Sequence, residues 1–213
     1  MAYPANQAPQ GFLPVNLIGG RVYNAAIRQI PIASGYSENI GYGDLVAYTS
    51  TGTIVRVDPA ASGGALAAFA IAPVGIFLGC AFTSTTGLKY FTPAQNWVGG
   101  TAASDAVAYV CEDPDAIFKV TLTNASGATY TSSGATQATV GLNIGYYQPA
   151  TPVNAATGDS SVSANFASAA TTATLPFRVI DVVKETALSD GTFQQVLVTY
   201  NFGKHFYRQT TGI

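Results

Sequence analysis

The stretch Phe193-Gln194-Gln195-Val196-Leu197-Val198-Thr199-Tyr200-Asn201-Phe202 decides the fold. Val196, Val198, Tyr200 and Phe202 recur at every second position, with Leu197 and Thr199 between them. That period belongs to a strand with one buried face, since a helical stripe recurs about every 3.6 residues. Residues 177–184 form its partner across a connection at 185–192 that carries Asp190-Gly191 near its end. Further out, 44–49 and 53–57 flank Ser50-Thr51-Gly52, and 74–82 and 88–91 flank a second Gly-ended loop at 83–87. Residues 106–111 and 116–122 flank Glu112-Asp113-Pro114-Asp115. Short strands separated by turn chemistry, with no long amphipathic helix, predict an all-β antiparallel barrel or sandwich.

Residues 1–30 read as an extended N-terminal arm, and residues 31–213 as the barrel or sandwich domain. Pro4, Pro9 and Pro14 disfavour helix. The arm nevertheless carries Phe12, Leu13, Val15, Leu17 and Ile18, which must lie against something. Two placements stay open: a first strand on its own domain, or a bridge to a neighbouring subunit. Within 121–176 the chain is rich in Ala, Ser, Thr, Gly and Asn, with Asp159 the lone charge. Residues 139–147 can make a strand. Residues 124–137 and 148–173 read as long polar loops, expected to be ordered and to meet another protein.

The 213 residues fit one domain, or a domain plus an arm. Apolar residues make up 48% and charged residues 9%, against roughly 25% charged in an ordinary soluble domain. Such a chain is not intrinsically disordered. Nine Lys and Arg against eleven Asp and Glu offer no basic surplus for nucleic acid. Residues 65–82 carry no charge, but Pro73, Gly75 and Gly79 interrupt any helix, so no membrane span is expected. The first residues lack the basic and apolar regions of a signal peptide. Cys80 and Cys111 sit in apolar runs and read as core thiols folded in a reducing compartment.

Catalytic chemistry has little to work with. His205 is the single histidine, set between aromatics, and reads as a packed or hydrogen-bonded residue. Residues 112–115 are the most acidic stretch, and Asp-Pro there fits a tight turn better than a cation site. No phosphate loop or dinucleotide fingerprint occurs. The expectation is a protein that is not an enzyme, with no cofactor and no metal. Trp97, Tyr146 and Tyr147 are candidate interface rings or sugar platforms, with core packing the alternative for Trp97. A surface so poor in ionised groups is suited to being covered by other proteins, which points to a repeating assembly.

The segments Val74-Gly75-Ile76-Phe77-Leu78-Gly79-Cys80, Lys89-Tyr90-Phe91-Thr92-Pro93 and Trp97-Val98-Gly99-Gly100-Thr101 resemble a recurrent stretch in small head proteins of tailed bacteriophages. The likeness continues through 105–110, 112–120, Val140-Gly141-Leu142-Asn143, 171–179 and 196–205. It implies a capsid-stabilising (cement or decoration) protein of the virion, made in the host bacterial cytoplasm. It further implies binding to the major capsid protein on the outside of the head, often as a homotrimer. The eight candidate interface residues are then Phe12, Leu13, Val15, Leu17, Ile18, Trp97, Tyr146 and Tyr147. The alternative class is a glycan-binding head fibre or adhesin module.

Overall fold

The computed structural model describes residues 8–24, 26–58, 63–83, 87, 89–92, 96–128, 134–186 and 193–212. The apolar runs become strands: β1 (Leu13–Leu17), β2 (Arg21–Val22), β3 (Ile27–Pro31), β4 (Leu45–Tyr48), β5 (Ile54–Arg56), β6 (Gly64–Leu66) and β7 (Gly75–Thr83). These are followed by β8 (Lys89–Thr92), β9 (Val107–Cys111), β10 (Ala116–Thr123), β11 (Asn143–Gln148), β12 (Ser163–Ala170), β13 (Phe177–Val183) and β14 (Gln195–Tyr200). The protein is all-β, and no described helix is long and apolar enough to cross a membrane. The loop tip at 84–86, the Asp190-Gly191 turn and the first seven residues lie outside the described residues.

One sheet runs β12-β11-β13-β14-β10-β1-β2, with β6 added to β11. It closes on itself because β12 also pairs in parallel with the end of β10, Leu122 opposite Ala164 and Thr123 opposite Asn165. The result is a five-stranded barrel, β10-β14-β13-β11-β12, which removes the free edges those strands would otherwise expose. The second sheet runs β3-β9-β7-β4-β5, with β8 added to β7. A parallel bridge between Ile32 and Ile54 draws its two ends together.

The two sheets enclose separate cores that share the middle strands. Leu45, Ala47, Ile76 and Leu78 face the barrel core, while Val46, Phe77, Cys80 and Phe82 face the other. β7 is therefore buried on both sides, which is why its sequence is a continuous apolar run. Its alternation changes phase between Phe77 and Cys80, where the register with β9 slips. Gly79 absorbs that bulge at φ +124°, a conformation closed to other residues. At Gly75 an added side chain would collide with the Cys111 carbonyl. Cys80 and Cys111 are buried, one in each core, and are not joined by a disulfide.

The described part of the expected arm, residues 8–24 and 26–30, belongs to the body. Phe12 is fully buried and its ring stacks on Phe177 at 4.5 Å, while β1 pairs with β10 and β3 with β9. β12 reaches only Leu122 and Thr123 of β10, and an apolar segment beside the remaining half of that strand gains more by pairing with it than by remaining extended in water. The junction between the two cores is held by Asp44, which is fully buried. Its carboxylate accepts from the Ser160 hydroxyl at 2.5 Å and from the Gly41 amide at 2.7 Å. Burial pushes its pKa up to about 6, against the opposing pull of those two hydrogen bonds and of Arg56.

Candidate docking surface

The β9–β10 turn is built by its own sequence. Asp113 Oδ1 accepts from the Asp115 amide at 2.8 Å, and the Asp113 carbonyl accepts from the Ala116 amide at 3.1 Å. Pro114 presets the backbone between them. The acidic stretch is thus a turn, and its carboxylates face basic groups brought in from both ends of the chain. Glu112 Oε2 accepts from Arg28 Nη1 at 3.2 Å and from the Tyr207 hydroxyl at 2.8 Å. Asp115 is bonded by Arg208 Nη2, with Arg21 Nη2 at 4.0 Å. The Asp115 carbonyl also accepts from the Ile18 amide at 2.9 Å, fixing the β1–β2 hairpin against the turn.

The C-terminal side of this cluster hangs on His205. Its Nε2 lies 2.9 Å from the Val74 carbonyl, which fixes the tautomer with the proton on Nε2. Nδ1 then accepts from the Tyr207 amide at 3.2 Å and caps the short turn Phe206–Arg208. The ring packs edge-on against Tyr200 at 4.8 Å, and burial lowers its pKa to about 4. Both nitrogens are occupied by structural bonds, so the ring holds Tyr207 and Arg208 against the acidic turn. Partial burial, then the hydrogen bond to Glu112, raise the Tyr207 pKa, so the hydroxyl remains a donor.

Around the turn stand exposed apolar groups: Ile18 (40% exposed), Ile27 (44%) and Tyr207 (46%), with Val22 (76%) on the adjoining edge strand. Ala26, Ile27, Glu112, Asp113, Pro114 and Tyr207 line an open depression of about 430 Å³. Among the described residues no group of three His, Cys, Asp or Glu side chains is placed to hold a metal ion. The arrangement can present apolar side chains ringed by paired charges, which is the chemistry of a protein contact.

Of the residues nominated from sequence, Ile18 alone lies on this surface. Leu13, Val15 and Leu17 are half-buried in β1, and Phe12 is in the barrel core. Trp97 is fully buried, its indole donating to the Tyr36 carbonyl at 3.2 Å and its ring edge-on to Phe82 at 5.7 Å. Tyr146 is also inside, its hydroxyl bonded to Asp58, and Tyr147 is half-buried over Gly127. Phe12, Trp97 and Tyr146 are therefore core residues, because each ring finds a complete apolar or hydrogen-bonded niche in its own chain. Sequence reading passed over Arg21, Arg28, Tyr207 and Arg208. The available signal was scarcity: in a chain with 20 charged residues, an acidic turn needs basic partners from somewhere.

No family model, curated protein or solved structure matches this chain.

Proposed function

We propose that this chain is a virion structural protein of cement or decoration type. It binds the outer surface of a phage head as a homo-oligomer, with the trimer the form implied by resemblance, and stabilises the major capsid protein lattice. The observation that carries this reading is a well-packed β-body with only 9% charged residues. Such a surface is poor at repelling neighbours and costs little to desolvate. Two buried cysteines with no disulfide between them agree with folding in a bacterial cytoplasm before assembly.

The mechanism is linkage. A protein that binds the assembled lattice but not separated subunits stabilises the lattice by RT ln(1 + [L]/Kd), about 2.7 kcal/mol per site at a hundredfold excess over Kd. An ordinary contact of about 1,600 Å² per site suffices, repeated over the shell. The test is co-sedimentation of the purified chain with undecorated heads. Saturable binding to heads, with none to unassembled capsid subunits, supports the role, and absence of binding to heads refutes it.

A further inference from the structure

We propose that the surface around the β9–β10 turn is where a second copy of this chain docks, in a two-fold contact made by the same residues on each copy. A two-fold interface must be complementary to itself. Arg21, Arg28 and Arg208 stand here against Glu112, Asp113 and Asp115, three charges of each sign and no net charge. A patch of one sign would select an oppositely charged partner, whereas a balanced patch matches its own rotated copy. The arginines are placed to reach across: the Arg21 and Arg28 side chains are 67% and 53% exposed, the paired Asp115 and Glu112 only 33% and 28%. Arg21 and Arg28, each more exposed than the carboxylate beside it, are the two that a facing copy would meet, whereas Arg208 is held as close in as Asp115.

The apolar part of the contact is Ile18, Ile27 and Tyr207 around the depression. Tyr and Arg are the residues that most often dominate a contact's energy. β2 and β3 are the last strands of their respective sheets, and both end here. Exposed Val22 and Ile27 on such edges invite association, which a second copy would cover in a defined way. The proposal is independent of head binding, and it gives a dimer where the family resemblance implies a trimer.

The experiment is sedimentation equilibrium of the full chain over a wide concentration range, with Ile27→Glu, Arg21→Glu and, as a control, Val98→Glu. Val98 is 55% exposed on the loop that bridges to Ile40, away from the turn. The parent is expected to approach twice the chain mass. Ile27→Glu and Arg21→Glu should each weaken association about tenfold or more, while Val98→Glu leaves it unchanged. Hydrogen exchange on the parent should show amides of residues 18–28 and 112–116 losing protection on dilution, a readout that does not depend on any variant folding. A parent that stays monomeric, a trimer mass, or a dimer indifferent to both substitutions would overturn the proposal. Head co-sedimentation of Ile27→Glu, run separately, distinguishes its failure from that of the capsid role.

Discussion

Asp44 and His205 are buried groups with opposite pH linkage, and removing either exposes the other. The His205 pKa falls from 6.5 to about 4 on folding, so the unfolded chain binds the proton more readily between those values. Stability is lost as pH falls through that window, by about 3 kcal/mol at 1.36 kcal/mol per pH unit. The Asp44 pKa rises from 3.8 to about 6, so here the folded state binds the proton more readily. Stability is gained as pH falls through that window, again by about 3 kcal/mol. In the parent the two slopes nearly cancel. Relative to the parent, Asp44→Asn should lose about 3 kcal/mol between pH 6 and 4, and His205→Asn should gain a similar amount. Urea unfolding at stepped pH, followed by the fluorescence of Trp97, measures both, and subtracting the parent cancels every other titrating group. A variant-minus-parent difference that stays flat with pH would refute the burial and bonding assigned to that residue.

Gly75→Ala should destabilise by about 3 kcal/mol or more in chemical denaturation, because the added carbon meets the backbone of β9 rather than a movable side chain. Phe12→Ala should cost about 3–5 kcal/mol, and deletion of residues 1–18 should unfold the barrel rather than trim a dispensable arm. Cys80, whose thiol burial pushes up to about 12, and Cys111, raised by the same cause, should resist a thiol reagent in the native state. Both should react at once in denaturant.

The strand pattern was legible wherever β-branched and aromatic residues alternate. The expected strands at 74–82, 106–111, 116–122 and 177–184 lie within one residue at each end of Gly75–Thr83, Val107–Cys111, Ala116–Thr123 and Phe177–Val183. The alternation in the last strand stops at Tyr200: Phe202 is 84% exposed because the chain has already turned. β12 was hidden in a segment read as polar loop. Its residues Ser163-Ala164-Asn165-Phe166-Ala167-Ser168-Ala169-Ala170 have little strand preference and are held by β11 and the end of β10, a tertiary influence no local window contains. The docking surface was hidden for a related reason. Arg21, Arg28, Glu112 and Arg208 are far apart in sequence and meet only because β3 pairs with β9 in one sheet and β1 with β10 in the other, on either side of the turn that joins them. Residue type leaves the apolar arm and the aromatic rings open to either a core or an interface, and burial is decided by which neighbour offers a niche.

The role proposed for this chain is to cover and reinforce a protein shell. Its most direct measurement is the temperature at which purified undecorated heads release their contents, recorded as the chain is titrated onto them. The account predicts a release temperature that climbs with occupancy and levels off when the sites are full. An unchanged release temperature at saturating occupancy would contradict it.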